Sequence, residues 1–347
     1  MRAPNHLGEL VLSLPALQRI AAQETAAGCA PPLVQIVTWL APLLRWTVPG
    51  VAVLPLDNRH AFRRAGRAIR QAADGYSIRG ITLTPSFSSA LILRLAGVTS
   101  LRGTAGDFRT WLLTDAVDRA PLLAGHRVDE YLSLLGYDAA PEPEPPSIQD
   151  TAMARAAWES GARRLGIAPV PDGDPVLGLC PGANGHARRW PITRFEDLAH
   201  RLTTATRRTL VFGGADDVEL TGRVAGKGGR KAVDLGGRTS LLELAGALLS
   251  CDLLVTNDTG PMHLAAALGV PVLALEGPAD VGQTRPLGPT VRLVGRFDLP
   301  CVPCVRNECP RRGTGYELAE AARECMRLIG VDEVEEAARQ ILNEERV

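Results

Sequence analysis

The segment with the clearest chemical potential is residues 255–269, VTNDTGPMHLAAALG. An apolar strand ends at Asn257 and Asp258, Thr259 and Gly260 form a turn, and a proline stands where helices begin. Such a junction presents free backbone N–H groups at the positive end of a helix, which suits a pyrophosphate. The alternative is an ordinary helix N-cap, in which Asp258 or Thr259 satisfies the amides and no ligand is needed.

A second strand-to-loop segment, residues 178–195 (GLCPGANGHARRWPITRF), carries arginines. Its loop starts with Pro181, Gly182 and Ala183, and Arg188 follows five positions later. An arginine can hold a phosphate through two hydrogen bonds, as a departing nucleoside diphosphate requires. The alternative is that these arginines are solvated loop charges.

Residues 210–219 (LVFGGADDVE) form another strand, glycine turn and acidic helix start. Asp217 or Glu219 could bind a ribose there, although a lone Gly-Gly pair is weak evidence. No G-x-G-x-x-G sequence opens a helix at a suitable place, which disfavours a dinucleotide-dependent dehydrogenase.

Near the N-terminus, Gly8 and Glu9 come just before an apolar helical run. A carboxylate at this position usually complements the helix dipole. It could instead act as a general base if it faces an interdomain cleft.

A late cluster of cysteines has the spacing C-x2-C-x4-C-x15-C. Its members are Cys301, Cys304, Cys309 and Cys325. Four thiolates satisfy the ligand count of tetrahedral zinc, but the later spacing fits no standard zinc ribbon. The alternative is a reduced cluster without metal, since a disulfide is not expected in the cytosol. We expect the other three cysteines to lie in the core: Cys29, Cys180 and Cys251.

Both halves of the chain alternate short apolar runs with helical patterns, which predicts parallel α/β sheets. A proline-rich linker at residues 139–148 separates an N-terminal domain (1–148) from a C-terminal domain (149–330). The final segment, 331–347, is predicted to form an amphipathic helix that packs across the domains. The fold class is therefore α/β, with two Rossmann-like, doubly wound domains facing a central cleft. The predicted strands are 33–40, 51–56, 80–83, 175–180, 209–213, 232–235, 253–257 and 271–275. The main predicted helices are 60–73, 151–165, 193–206, 216–226, 240–250 and 261–268.

Composition excludes some classes of partner. The 347 residues include 38 Lys plus Arg and 38 Asp plus Glu, so bulk charge gives no support for nucleic-acid binding. No stretch approaches the ~20 apolar residues that cross a bilayer, and the N-terminus lacks a signal-peptide core. We expect a cytoplasmic protein.

Taken in order, the N-terminal, loop, glycine-turn and strand–helix segments resemble glycosyltransferase family 9, the ADP-heptose:lipopolysaccharide heptosyltransferases. Residues 257–271 are similar, almost letter for letter, to the family pattern NDTGPMHLAAALG-x-P. Residues 4–17 resemble its pattern PN-x-x-GD followed by PAL, and residues 181–191 resemble a Pro-Gly-Ala loop before Lys-x-Trp-Pro. The cysteine segment is similar to that of heptosyltransferase II of the core pathway. The resemblance extends from residue 2 to about residue 335.

The resemblance implies a GT-B fold and an inverting transferase that moves heptose from ADP-heptose to the lipopolysaccharide inner core. It implies no required metal or other cofactor. Glu9 stands where the family has its aspartate base, and Arg188 stands where it has a phosphate-binding lysine. Donor-binding positions are carried over at Pro181, Gly182, Ala183, Arg188, Asp258, Thr259, Gly260 and His263, of which His263 could instead be structural.

The resemblance also implies an acceptor rich in carboxylates and phosphates, linked to lipid. A run of arginines at helical spacing suits such an acceptor and also an anionic membrane surface, giving possible peripheral contact with the inner membrane. These residues are Arg59, Arg63, Arg64, Arg67 and Arg70. The alternative is a solvated helix face.

Other interpretations stay open at this level. A GT-B transferase could use another nucleotide-sugar or acceptor, and the Glu9 and Arg188 departures fit a non-catalytic nucleotide-sugar binder. Relatives carry an apolar strand before the Pro-Asn motif, whereas here only three residues precede it. Either the first strand is missing or the start of the sequence is placed too far downstream, and a shortened sheet would expose edge backbone.

Overall fold

A computed structural model describes the chain except for residues 59, 74–76, 107, 139, 169–174, 203–207, 311–322 and 345–347. The chain divides into two units, Met1–Ser147 and Ile148–Val347. No helix of the described residues is both long and apolar enough to span a bilayer.

The first unit alternates strands and helices. Its strands are β1 (Leu33–Val37), β2 (Ala52–Leu56), β3 (Arg79–Ile81), β4 (Ser100–Thr104) and β5 (Asp115–Val117). Its helices are α1 (Leu7–Leu12), α2 (Leu14–Ala26), α3 (Ala41–Thr47), α4 (Phe62–Ala72), α5 (Phe87–Leu95) and α6 (Arg127–Leu134).

Residues 1–3 run parallel between β1 and β3. The Ala3 N–H donates to the Gln35 carbonyl oxygen at 3.0 Å, and the Arg2 N–H donates to the Ile81 carbonyl oxygen at 2.9 Å. The parallel order is therefore β2-β1-(1–3)-β3-β4-β5. This short segment lies inside the sheet, so the expectation that it exposes edge backbone is wrong.

The second unit contains a larger parallel sheet. Its strands are β6 (Val176–Cys180), β7 (Arg208–Val211), β8 (Ala232–Asp234), β9 (Leu253–Asn257), β10 (Val272–Glu276) and β11 (Val291–Gly295). Its helices are α7 (Ala152–Arg164), α8 (Ile192–Leu202), α9 (Val218–Gly228), α10 (Leu241–Leu248), α11 (Gly260–Ala267), α12 (Val281–Thr284), α13 (Glu324–Arg327) and α14 (Val331–Glu344).

The strand order of this sheet is β11-β10-β9-β6-β7-β8. The chain therefore leaves β6 toward one edge and later returns to β9, the neighbour on the other side. This is the Rossmann order, in which ligands bind beyond the carboxyl ends of the strands where the direction reverses. β9 and β10 are buried along their whole length, as expected for central parallel strands covered on both faces.

The first unit has the same order if residues 1–3 are counted as its first strand. The position that corresponds to the β6–β9 reversal is the boundary between residues 1–3 and β3. Helix α1, which begins at Leu7, follows that boundary directly. Both units thus bring their first loop to the place where such sheets bind ligands.

The core of the second unit fixes the loop after β6. Trp190 is 1% exposed and packs edge-on against Phe195, with ring centroids 5.0 Å apart. Its indole N–H donates to the Ile329 carbonyl oxygen at 3.0 Å. Helix α14 packs on α8 and β9 within this unit. Its predicted packing across the domains stays a prediction.

Several predicted elements differ from the observed ones at their ends. The predicted strand 33–40 ends at Val37, and residues Thr38–Leu40 form a 3-10 turn. The predicted helix 193–206 is described as α8 only to Leu202, because residues 203–207 lie outside the described part. Cys180 and Cys251 are buried as expected, but Cys29 is exposed, so that expectation is wrong. Cys29 follows the end of α2 and lies on the surface.

The contact between α7 and α10 gives a test of the packing. A Cβ atom at Gly246 would lie 2.0 Å from the Ala154 carbonyl oxygen and 2.6 Å from Trp158 Cβ. Gly246→Ala must therefore separate the two helices, and we expect a loss of about 1–3 kcal/mol in the free energy of unfolding. Urea denaturation followed by circular dichroism measures it.

The matched control is Gly226→Ala in α9. This glycine is exposed, and its added Cβ would meet nothing within 4 Å. The control should gain up to about 1 kcal/mol, because alanine favours the helix. Equal stability changes in the two variants would contradict the close α7–α10 contact.

Candidate active site

Asn257 connects the loop after β6 to the end of β9 at the strand reversal of the second unit. It ends β9 and is fully buried. Its Nδ2 donates to the Pro181 carbonyl oxygen at 2.7 Å, and its Oδ1 accepts from the Trp190 backbone N–H at 3.0 Å. One side chain therefore holds both ends of the loop 181–190 against β9. Asn257 was not among the predicted site residues, although an amide at the end of an apolar strand was a visible sequence signal.

Arg188 and Asp258 form an ion pair beside this tie. Arg188 Nη1 lies 2.9 Å from Asp258 Oδ2, and the Asp258 side chain is 5% exposed. A charge-assisted bond to a buried carboxylate fixes the guanidinium in position. Arg188 Nε is buried and has no hydrogen-bond partner among the described residues. The pair thus fixes the guanidinium while one of its N–H donors stays unsatisfied within the described part of the chain.

The turn at Thr259 and Gly260 begins α11. Thr259 is the N-cap residue, has extended backbone, and its side chain makes no capping hydrogen bond. The alternative in which the Thr259 side chain caps the helix therefore does not hold. Pro261 occupies the first turn and has no N–H to donate. The amides at the start of α11 point toward the same end of the sheet as Arg188.

Glu276 is a buried acid in the same neighbourhood. It ends β10 and is 1% exposed, and its Oε2 has no hydrogen-bond partner in the described part of the chain. Burial, and next the negative charge of Asp258, raise the pKa of Glu276 well above 4.5, although Arg188 opposes the shift. The shift therefore favours the neutral form of this acid. In the sequence, the signal for this buried acid was the charged residue Glu276 at the end of the apolar run VLALE.

The Pro181–Gly182–Ala183 segment follows β6 and is buried. A Cβ atom at Gly182 would lie 2.4 Å from Asp217 Oδ2, so any larger residue would displace the Asp217 side chain. Asp217 accepts from the Gly214 N–H at 3.2 Å, and its Oδ1 lies 3.5 Å from Arg189 Nη2. The structure thus uses Asp217 to brace the glycine turns.

Two further predicted positions differ in accessibility. Glu219 lies in the first turn of α9 and is exposed. His263 lies one turn into α11 and is 6% exposed. The burial of His263 fits the structural interpretation that the sequence left open for it.

Glu9 lies in the first turn of α1, in the first unit. The Tyr131 hydroxyl donates a hydrogen bond to Glu9 Oε2, and Arg127 Nε lies 3.8 Å from the same oxygen. The Glu9 side chain is 35% exposed, and Oε1 makes no hydrogen bond to any described residue. One carboxylate oxygen is therefore held and the other is accessible.

Helix α6 supplies the groups around Glu9. Burial, and next Glu9, raise the pKa of Tyr131 well above 10.0, so its phenol stays a hydrogen-bond donor. Burial alone would lower the pKa of Arg127, but the carboxylates of Glu9 and Glu130 outweigh it and raise the value. Arg127 also pairs with Glu130, which is 5% exposed. The sequence analysis missed this helix, whose R-x-x-E-Y spacing puts the three side chains on one face.

A buried arginine shapes the turn before Glu9. Arg2 is 1% exposed, and its guanidinium donates to the Gln35 carbonyl oxygen at 3.1 Å and to Asn5 Oδ1. Burial lowers the pKa of Arg2 to about 10. These bonds fix the backbone that leads from residues 1–3 into α1.

The predicted acceptor arginines lie on α4. Arg63, Arg64 and Arg67 are exposed and make no ion pair with other described residues. Arg70 donates to the Leu95 carbonyl oxygen at 2.9 Å and so belongs to the α4–α5 contact. Arg59 lies outside the described residues.

The four late cysteines surround one small cavity of about 40 Å³ in the second unit. They are Cys301, Cys304, Cys309 and Cys325. Burial, and the other three sulfurs, raise the pKa of Cys325 to about 11, which favours the thiol. No group of three or more His, Cys, Asp or Glu side chains in the described part of the chain is arranged to hold a metal ion. The structural zinc and the reduced, metal-free cluster both stay predictions.

The loop that carries these cysteines also supports Arg188. The Ala187 N–H donates to the Asn307 carbonyl oxygen at 2.9 Å. Arg323 Nη1 donates to the His186 carbonyl oxygen at 2.8 Å. Through these two hydrogen bonds, the cysteine segment supports the 3-10 turn His186–Arg188.

Two parallel sheets of Rossmann order, with candidate anion-binding loops at the reversal of the second, are the architecture of the GT-B fold. The profile of glycosyltransferase family 9 (heptosyltransferase) matches residues 62–314. The chain belongs to this family.

Individual relatives agree with that assignment. The chain is 30% identical over 284 residues to lipopolysaccharide heptosyltransferase 2 of Salmonella typhimurium, covering 74% of this chain and 76% of the relative. The structure of E. coli ADP-heptose LPS heptosyltransferase II is similar over 100% of this chain and 98% of that chain, with a TM-score of 0.78 and 26% identity. The fold is also shared with the iron-containing dodecameric glycosyltransferase TibC from enterotoxigenic E. coli, with a TM-score of 0.61 and 16% identity over 99% of this chain and 75% of that one.

The neutral state of Glu276 predicts a pH-dependent stability difference. From about pH 4.5 upward the unfolded chain releases this proton while the folded chain keeps it, so the stability contributed by the group falls as pH rises. Glu276→Gln imitates the neutral acid and removes this loss. Its stability relative to wild type should therefore increase with pH, as measured by urea denaturation across a pH series.

The control is Glu159→Gln on the exposed face of α7. Its difference from wild type should stay nearly constant over the same series. A constant difference for Glu276→Gln as well would show that Glu276 is not held neutral in the folded protein.

Proposed function

We propose that this chain transfers a heptose from ADP-heptose to the inner core of lipopolysaccharide, with inversion at the anomeric carbon. The observation that carries the proposal is the Arg188–Asp258 pair beside the uncapped turn at Thr259 and Gly260, at the strand reversal of the second unit. Family membership and the activities of the relatives support heptose as the sugar and a lipid-linked saccharide as the acceptor.

The donor diphosphate would lie between Arg188 and the start of α11. Departure of ADP builds negative charge on its bridging oxygen, and a fixed guanidinium with oriented amides stabilises that charge without reorganising. Arg188 and Asp258 together are neutral, so an ionised Glu276 would make this region anionic and repel the diphosphate. The proton on Glu276 prevents that repulsion.

The acceptor hydroxyl would lose its proton to Glu9 Oε1. The Tyr131 hydrogen bond and the nearby Arg127 hold the other oxygen, so the carboxylate keeps one orientation. The freed oxygen then attacks the anomeric carbon from the face opposite ADP, as water does in inverting glycosidases. This pathway gives inversion because only one displacement occurs.

No metal or other cofactor is required in this proposal. Arg188 and the α11 amides supply the positive charge that a divalent cation provides in metal-dependent transferases. The surface arginines Arg63, Arg64 and Arg67 would attract the phosphates and carboxylates of the acceptor. Contact with a membrane surface would follow from the lipid anchor of that acceptor.

Glu9→Gln tests the catalytic part of the proposal. The amide keeps the shape and the Tyr131 hydrogen bond but cannot accept the acceptor proton, so turnover should fall by roughly 10²-fold or more. ADP release coupled to product mass measures turnover, and calorimetry measures ADP affinity, which should stay unchanged.

Glu142→Gln, an exposed carboxylate of the same unit, is the matched control and should keep wild-type turnover. Wild-type turnover in Glu9→Gln would remove Glu9 from the mechanism. Loss of ADP binding in that variant would indicate a folding defect rather than loss of a base.

A further inference from the structure

Glu130 is a buried carboxylate that the proposed mechanism does not use. Its side chain is 5% exposed, and it lies in the first turn of α6. Its Oε1 accepts from Arg119 Nε at 3.3 Å, and its Oε2 accepts a hydrogen bond from Arg127 Nη1. A carboxylate that only complements a helix dipole needs neither burial nor a partner. The helix dipole therefore does not explain why two arginines meet on one enclosed acid.

Arg127 lies between this acid and the proposed base. Its Nη1 donates to Glu130, whereas its Nε lies 3.8 Å from Glu9 Oε2. Nε is buried, and it makes no hydrogen bond to any described residue. A guanidinium has five N–H donors and can serve two carboxylates at once. Here Glu130 receives the hydrogen bond, and Glu9 is left with a longer contact.

The length of that contact matters for Glu9 as a base. A cation that hydrogen-bonds a carboxylate stabilises its charged form, so the carboxylate takes up a proton less readily. Glu9 Oε2 instead accepts from the Tyr131 hydroxyl, a donor that carries no charge. The observed arrangement therefore orients Glu9 and weakens its attraction for a proton less than a direct bond from Arg127 would.

The charges of this cluster balance only when Glu130 is ionised. Glu9 and Glu130 supply two carboxylates, and Arg119 and Arg127 supply two guanidinium groups. If the Glu130 charge were removed, Glu9 would be the one carboxylate left among the described groups that act on Arg127 most strongly. A buried cation pairs with the nearest available anion, because an unpaired buried charge is costly. Glu130 and Glu9 therefore compete for Arg127.

We propose that Glu130 is a positioning residue, which binds the Arg127 guanidinium and thereby keeps it from pairing closely with Glu9. Glu9 then retains the attraction for a proton that a general base needs. Arg119 holds the second oxygen of Glu130 and so keeps the acid oriented toward Arg127. The inference rests on the proposed function, because this role exists only if Glu9 takes the acceptor proton.

The effect of Glu130 on Glu9 passes through Arg127. The ionisable groups that act most strongly on Arg127 are Glu9, Glu130 and Tyr131. The remaining ionisable groups on α6 and on the elements packed against it make other contacts. These are Arg102 with Asp115, Arg19 with Glu144, Glu24 with Cys29, His126 with the Val128 N–H, and Asp129 beside Gly125.

The first test compares crystal structures of the full-length wild type and the Glu130→Gln variant. The amide keeps the shape of the acid but not its charge, so Arg127 should turn to Glu9 and form hydrogen bonds of about 2.8 Å. An Arg127 that stays 3.8 Å from Glu9, still bonded to the substituted side chain, would overturn the proposal. This readout needs no activity, so it does not depend on which sugar the chain transfers.

The second test measures kcat/KM for the acceptor against pH. In Glu130→Gln the acid limb of the profile should move to lower pH by about one unit, since a direct bond from Arg127 favours ionised Glu9. The maximal kcat should fall roughly threefold or more, because a weaker base assists proton transfer less. ADP affinity, measured by calorimetry, should stay unchanged. Glu142→Gln, which removes an exposed carboxylate from the same unit, is the matched control and should keep the wild-type profile.

The double variant Glu130→Gln with Arg127→Gln separates positioning from a merely structural role. It removes the cation together with its competitor, so the acid limb should return toward its wild-type position although two enclosed groups have changed. A limb that does not move in Glu130→Gln, or that stays displaced in the double variant, would overturn the proposal.

Glu130→Asp keeps the test decisive if Glu130→Gln does not fold. The aspartate retains the charge but places it one methylene farther from Arg127, so the acid limb should move in the same direction by less. An unmoved limb in this variant would count against the proposal. Wild-type turnover in Glu9→Gln would refute the proposed base and the role of Glu130 with it. An inactive Glu9→Gln protein together with an unmoved limb in Glu130→Gln would refute the role of Glu130 alone.

Discussion

The two hydrogen bonds of Asn257 are the constraint on which the candidate donor site depends. Parallel strands β6 and β9 are neighbours, but their following loops diverge because the chain reverses direction between them. Asn257 bonds to both ends of the loop after β6, and so brings Arg188 to Asp258 across the reversal. The packing of Trp190 and the hydrogen bonds from the cysteine segment support the same loop. A buried amide that bonds two backbone groups stabilises the fold more than either hydrogen bond alone. Its loss would leave both backbone groups buried without a partner.

At the strand reversal, ion pairing and burial both reduce the net negative charge of the acidic side chains. Asp258 neutralises Arg188, and the low-dielectric surroundings keep Glu276 protonated. In the first unit the balance is different, because Glu9 faces solvent on one side and Tyr131 with Arg127 on the other. The two carboxyl groups thus lie in different surroundings, and the accessible Glu9 is the one we propose as the base.

Much of the second unit could be predicted from its sequence. Apolar runs such as 253–257 and 272–276 specify buried parallel strands, and the Asp258–Gly260 turn marks where a helix must begin. The family resemblance placed Glu9 and Arg188, and the fold and family are confirmed. The roles of the individual site residues stay predictions.

Other features could not be read from sequence because they depend on distant packing. Residues 1–3 are too short for any periodic pattern, and they become a strand only because β1 and β3 lie on either side. Tyr131 is 122 positions from Glu9, so their hydrogen bond has no local signature. The burial that changes the protonation of Glu276 likewise arises from the folded sheet alone.

The most direct test of the central claim is the ADP affinity of Arg188→Ala, measured by titration calorimetry. The account predicts that removing this fixed donor weakens ADP binding by about 1.5–3 kcal/mol, a factor of roughly 10 to 150. Arg188→Lys should fall between the variant and wild type, because it keeps the charge and loses the planar fork. Arg163→Ala, an exposed arginine of α7, should bind ADP as wild type does. Unchanged ADP affinity in a folded Arg188→Ala protein would contradict the account, since the diphosphate would then bind elsewhere.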